Sequence, residues 1–191
     1  DKLEARKVAA ACGVPTVPGS DHAKNSREAA AQAEKIGYPV LLKASAGGGG
    51  RGIKLVWNPS EMQSTFSTAA AEARSAFGND TLYMERYIGN ARHVEVQVLG
   101  DRSGKVIHLG ERDCSLQRRH QKIVEEAPAY AVAEQVREKI CNAAAILARS
   151  IGYQSAGTVE FIFDNDSNEF FFLEMNTRIQ VEHPVTEMIT G

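Results

Sequence analysis

The sequence predicts a mixed α+β fold, with a small N-terminal unit and a larger sheet-bearing unit. Three observations carry this. Before residue 80, Ala-rich helical segments are delimited by capping residues and glycine stops. From Thr81 the texture changes to alternating apolar and polar strands. Finally, Thr158 to Phe163 and Glu169 to Met175 flank the turn-forming run Asp164-Asn-Asp-Ser-Asn168, a β-hairpin signature.

The elements follow in order. Lys2 to Cys12 places Leu3, Val8 and Cys12 at helical spacing, and Gly13 supplies a stop. Val14 to Gly19, broken by two prolines, is a connector. Ser26 is placed to cap a helix running to Ile36, which Gly37 closes before Val40-Leu41-Leu42 forms a short strand. A glycine-rich loop leads to a second strand, Ile53 to Trp57. Asn58-Pro-Ser-Glu61 then offers a cap, a first-turn proline and a capping glutamate for a long helix ending near Phe77. Strands are expected over Leu82 to Tyr87, Arg92 to Leu99 and Lys105 to Gly110, the last two joined by Gly100-Asp-Arg-Ser-Gly104. Glu111 to Pro128 reads as an irregular polar stretch, and Val132 to Ile151 as a helix before the hairpin.

With 191 residues, 43% of them hydrophobic, the chain is long enough to bury a substantial core. A net charge of −2 gives no electrostatic footprint for nucleic acid or an anionic membrane, and no apolar run has the length of a membrane span. Neither partner is expected. Cys12, Cys114 and Cys141 fit no zinc or redox spacing and read as reduced thiols. The chain opens Asp1-Lys2-Leu3, without initiator Met or signal peptide, and ends just after its richest polar run; both features suggest a piece of something longer.

That polar run is Glu174-Met-Asn-Thr-Arg-Ile-Gln-Val-Glu182. In an extended backbone Glu174, Asn176, Arg178, Gln180 and Glu182 share one face, which then carries two carboxylates, two amides and a guanidinium. A solvated strand edge is the plain alternative, but such edges favour Thr, Lys and Ser repeats. The hairpin adds a partner. A turn centred on Ser167 pairs residues of constant index sum and sets Glu160 opposite Glu174, whereas a register shifted by one turns one carboxylate away. Like charges face one another at a cost unless a cation lies between them, so Glu160, Glu174 and Asn176 form a hard oxygen set suited to Mg²⁺ or Mn²⁺.

Ala46-Gly-Gly-Gly-Gly-Arg-Gly52 brings backbone N–H groups within reach of an anion without Cβ interference. Its G-x-G-x-x-G match is weak, because a dinucleotide or Walker loop opens a helix and this one joins two strands, like a flap over nucleotide phosphates. Lys43 lies just before it. Gln117-Arg-Arg-His-Gln-Lys122 is a short basic patch, read as anion-handling because acids follow it. Met84-Glu-Arg-Tyr-Ile88 ends a strand with groups able to hold a purine, though not specifically. His93, Glu95 and Gln97 alternate with valines, as any half-buried strand does.

Taken together, Lys43 to Gly52, Arg92-His-Val-Glu-Val-Gln97, Glu111 to Lys122 and Glu174 to His183 resemble the biotin carboxylase family along nearly the whole chain. The resemblance implies an ATP-grasp fold: a leading helix and connector (1–15), a lid subdomain with the glycine-rich loop (16–87) and part of an antiparallel-sheet subdomain (88–191). It implies that ATP, two Mg²⁺ or Mn²⁺ ions, bicarbonate and carrier-bound biotin are used, with carboxyphosphate as the intermediate. For ATP it implies Lys2, Lys43, Gly48, Gly49, Gly50, Ile53, Glu85, Arg86, Ile88, His93, Gln117 and His120. Glu160, Glu174 and Asn176 match the metal positions. Lys122, Arg178, Gln180, Val181 and Glu182 match the bicarbonate site, with Glu182 as general base and Arg178 as anion clamp. Ala46 stands where some members of that family have glycine, and Arg86 where lysine is common.

The same resemblance implies a carrier protein or domain, a carboxyltransferase, a homodimer in the full enzyme, and a cytoplasmic or mitochondrial-matrix location. It implies that this chain alone, lacking the family's preceding α/β domain and following arginine, binds MgATP weakly and carboxylates free biotin poorly. Two alternatives stand beside it: carbamoyl-phosphate synthetase, which lacks the Gln117 to Lys122 run, and a non-catalytic nucleotide-binding module, for which Glu182 and Arg178 have no use.

Overall fold

The computed structural model describes residues 2–46, 52–119 and 121–191, the side chain of Lys2 excepted. Gly48, Gly49, Gly50 and His120 therefore lie outside the described residues. The chain forms two compact units: residues 1–4 with 17–88, and residues 5–16 with 89–191.

In the first unit, α2 (Ser26–Ile36) and α3 (Met62–Phe77) accompany an antiparallel sheet of β1 (Val40–Ala44), β2 (Ile53–Val56) and β3 (Leu82–Arg86), in the order β2-β1-β3. Its core joins Val40, Leu42 and Ala44 to Ala29, Ala33, Ala69, Ala73 and Met84. Small helix residues let each helix approach the branched strand residues closely. The cap of α2 is Asn25, not Ser26: its side chain accepts the Glu28 N–H at 2.9 Å, in the extended backbone a cap requires. Asn58 caps a separate 3₁₀ turn, Pro59–Glu61, before α3 begins. β1 and β2 pair as antiparallel neighbours, with Lys43 opposite Ile53. Gly52, at φ +76°, closes the glycine run where a Cβ would lie 3.0 Å from that of Ala44.

The second unit takes up residues 5–11 of α1 (Lys2–Ala11) and builds a five-stranded antiparallel sheet ordered β6-β5-β4-β7-β8. The strands are β4 (Ala91–Gly100), β5 (Val106–Arg118), β6 (Gln121–Glu126), β7 (Ser155–Asp164) and β8 (Glu169–Asn176). The stretch expected to be irregular is thus mostly a strand pair, β5 and β6. Its alternation is masked because register shifts interrupt the pairing and its polar residues are buried. Helix α4 (Glu134–Ser150) lays Ile140, Cys141, Ala144, Leu147 and Ala148 in one core with Val94, Val96, Val98, Val159, Phe161 and Phe163. The valines of β4 supply that face. Glu95 and Gln97, on the other, are equally inaccessible, at 0% exposure, so the strand is buried on both sides rather than half-buried. All three cysteines are free. Among the described residues no helix is long and apolar enough to cross a membrane.

Candidate functional site

The polar face of the second unit's sheet is built from the hairpin outward. Glu160 does pair with Glu174, but not through one constant register. From the turn to Phe161↔Phe172 the indices follow one sum, and from Glu160↔Glu174 onward another, with Leu173 as the extra residue of a bulge. The bulge has a clear purpose. Phe170 and Phe172 share sequence parity with Glu174 and Asn176, so an unbroken strand would put rings and carboxylate on one face. The extra residue sends the rings to the core and Glu174 and Asn176 to the polar face.

The expected strip does not continue as a strand. β8 stops at Asn176, and Glu182 stands at the N-terminus of a short helix, α5 (His183–Thr190), with Pro184 in its first turn. The chain turns because Pro184 presets helical geometry there. Gln180 and Glu182 still return to the polar face, but Arg178 and Val181 do not. Arg178 is exposed and donates to its neighbour Ile179's carbonyl at 3.2 Å, and Val181 is 93% exposed.

Lys122 is the centre of what assembles. Its Nζ donates to Glu95 Oε2 at 2.5 Å, Glu182 Oε1 at 2.6 Å and Glu160 Oε1 at 2.9 Å. Glu160 also receives Asn176 Nδ2 at 2.8 Å, Gln180 Nε2 at 3.4 Å and His93 Nε2 at 3.0 Å. The His93 tautomer follows from its other side. Gln117 Nε2 donates to the Cys114 carbonyl and to His93 Nδ1, each at 2.8 Å, which leaves the ring proton on Nε2 facing Glu160.

The charges act strongly on one another. Burial works to raise the Glu160 pKa, but the hydrogen bond from His93 and the Lys122 ammonium hold it down at about 2. Burial acts the same way on Glu182, and the Lys122 hydrogen bond lowers it on balance. Lys122 itself would be lowered by burial, yet Glu160 and Glu95 raise it well above the lysine range.

Beneath this cluster lies a residue the sequence reading passed over. Arg112 is 0% exposed, and its Nε donates to Glu95 Oε1 at 2.7 Å. Its Nη1 reaches Gln97 Oε1 at 3.0 Å and Thr186 Oγ1 at 2.6 Å. The only available signal was an arginine at an alternating position of a strand taken for a loop.

Glu95, Glu160 and Glu182 outnumber Lys122 and Arg112 by one charge, and Glu174 adds a carboxylate opposite Glu160. That surplus, with the Asn176 amide alongside, fits a hard divalent cation. Two other groups have ligand atoms within 4.8 Å of one another: His93, Glu95 and Glu160; and Glu95, Cys114 and Glu182. In the first, the Lys122 ammonium already bridges the two carboxylates. In the second, burial and the nearby Glu95 charge push the Cys114 thiol up, keeping it protonated and a poor ligand.

In the first unit, Lys43 is ion-paired with Glu85, and both are nearly enclosed. Arg86 ends β3, Ile88 follows it, and Ile53 opens β2, 37% exposed.

Comparison with known proteins matches all of residues 1–191 to the family described as carbamoyl-phosphate synthase L chain, ATP-binding domain, and the chain belongs to that family. Biotin carboxylase of Allochromatium vinosum is 52% identical over 193 residues, covering 100% of this chain and 42% of that protein. Pyruvate carboxylase of Bacillus subtilis is 51% identical over 192 residues, covering 100% of this chain and 17% of its own length. Among solved structures, Campylobacter jejuni biotin carboxylase in complex with β-γ-ATP superposes with a TM-score of 0.93 at 52% identity, over 99% of this chain and 42% of that one. The biotin carboxylase domain of Hydrogenobacter thermophilus 2-oxoglutarate carboxylase, in complex with MgADP, ADP and bicarbonate, gives 0.92 at 55%, over 100% and 42%. The chain thus spans less than half the length of these relatives. Its fold is the α+β ATP-grasp fold of biotin carboxylases.

Proposed function

We propose that this chain is the ATP-binding part of a biotin carboxylase, which carboxylates carrier-bound biotin from bicarbonate at the expense of MgATP. One observation carries the reading: a single ammonium, Lys122 Nζ, touches both Glu160 of the oxygen-ligand set and Glu182. A phosphoryl-transfer centre needs its charge-neutralising end and its acceptor end that close together. Named relatives and the bicarbonate and MgADP of the H. thermophilus domain support it.

In this reading Lys43, Glu85, Arg86, Ile88, Ile53, Lys2, the glycines 48–50, His93, Gln117 and His120 bind the nucleotide. Glu160, Glu174 and Asn176 hold Mg²⁺ or Mn²⁺, with Asn176 presenting its oxygen; when bound, the ions neutralise charge on the transferring phosphoryl group. Lys122, Gln180, Val181 and Arg178 hold bicarbonate. The clamp role of Arg178 calls for its exposed guanidinium to turn from the Ile179 carbonyl toward the anion. Ionised Glu182 accepts the bicarbonate hydroxyl proton as that oxygen attacks the γ-phosphorus and ADP leaves. The carboxyphosphate then yields CO₂ and phosphate. Phosphate takes the N1 proton of biotin, and N1 adds to CO₂. The product passes on a carrier protein to a carboxyltransferase.

The test is bicarbonate-dependent ATP hydrolysis by the full-length protein. Glu182→Gln should lower it by about 10²- to 10⁴-fold, the usual contribution of a general base, while nucleotide binding persists. Hydrolysis indifferent to bicarbonate in the unaltered protein rules the reading out and leaves a nucleotide-binding module.

A further inference from the structure

No role has yet been given to the largest fully buried side chain among the described residues, Arg112, which lies beneath the polar face. Enclosing a guanidinium is costly unless its donors find partners, and here the partners come from three elements. Glu95 and Gln97 lie on β4, Thr158 on β7 with its Oγ1 3.5 Å from Nη2, and Thr186 on α5. The Gln97 amide is held in turn, its Nε2 donating to the Gly157 carbonyl at 2.9 Å.

Two of these contacts lead to the reacting groups by separate routes. Glu95 offers one oxygen to Arg112 and the other to Lys122 at 2.5 Å, so the guanidinium fixes the carboxylate that aims the ammonium. Thr186 sits one turn into the helix whose N-terminus carries Glu182, and its hydroxyl accepts from Nη1 at 2.6 Å. Glu182 and Lys122 are themselves joined at 2.6 Å. The closed circuit therefore runs Arg112, Glu95, Lys122, Glu182, α5, Thr186 and back. We propose that Arg112 is the positioning residue of the bicarbonate end of the site, setting Lys122 through Glu95 and Glu182 through Thr186. The inference rests on the function proposed above. Arg112 touches no reactant in it. Its planar fork addresses Glu95 and Thr186 from different nitrogens, which a lysine cannot do.

Thr186→Val is the informative variant, because it removes the hydroxyl while keeping shape and leaves Arg112 bound to Glu95. In full-length protein, the KM for bicarbonate in bicarbonate-dependent ATP hydrolysis should rise about tenfold or more, the scale of one lost hydrogen bond to a charged group, while the KM for ATP stays within about twofold. Thr186→Ser keeps the hydroxyl and should restore the bicarbonate KM. Arg112→Lys should lose both routes and exceed Thr186→Val in effect. A lowered melting temperature with both KM values unchanged in Thr186→Val would make Arg112 merely structural and overturn the inference. So would equal effects of Val and Ser, because Ser keeps the hydroxyl that the inference requires. Absence of bicarbonate dependence in the unaltered protein strikes instead at the proposed function.

Discussion

Lys122 illustrates how a single residue ties stability to chemistry. Its ammonium faces three carboxylates that are almost wholly enclosed, so removing it leaves negative charge in a place with little water. Lys122→Met should destabilise the protein by about 3 kcal/mol near neutral pH, the lower end for breaking a buried ion pair. The pH dependence has a defined sign. Glu160, held at about 2 against an unfolded value of about 4.3, contributes stability above the latter that is lost as pH falls toward 2. Lys122, raised in the fold, contributes below about 10.4 and loses its share as pH climbs through its folded value. In the variant Glu160 and Glu182 lose their ammonium and burial pushes them up, so the deficit should narrow as pH is lowered from about 7 to about 5. Urea unfolding across that range measures it, and a pH-independent gap would count against the network described.

At the level of elements, the caps make the sharpest distinction. Asn25, not Ser26, satisfies the first turn of α2, and Glu28 reaches back to the Lys24 N–H at 3.1 Å. Asn25→Ala should therefore cost about 1 kcal/mol in thermal unfolding and Ser26→Ala close to nothing; the reverse ranking would restore the sequence reading. Both residues are good caps by type, and the choice between them depends on one backbone angle that composition does not encode. The hairpin teaches a related lesson. Its existence and the facing of Glu160 and Glu174 were legible, but the bulge at Leu173 was not, because alternation read locally cannot reveal where a strand changes face. β5 was harder still. Its Glu111, Arg112 and Asp113 are buried by charge pairing rather than by apolarity, and hydrophobic periodicity is blind to that.

For the molecule as a whole, each of the two units closes its own core, around Leu42 and Met84 in one and Val96 and Phe161 in the other. Leu42→Ala should cost about 2–5 kcal/mol, and in native-state hydrogen exchange the loss should fall on β1 and β3 more than on β4 and β7. Equal loss in both units would mean they unfold together. The sequence by itself determined the class of fold, most element positions to within a residue or two, the pairing of Glu160 with Glu174 and the family. Those follow from periodicity, capping chemistry and short motifs, all local in the chain. Only the tertiary structure decided that Lys122 stands among Glu95, Glu160 and Glu182, that Arg112 lies enclosed beneath them, and that Glu182 arrives on a helix rather than a strand. Whether a charge can be buried depends on which strands become neighbours, and that is settled by packing between residues far apart in sequence.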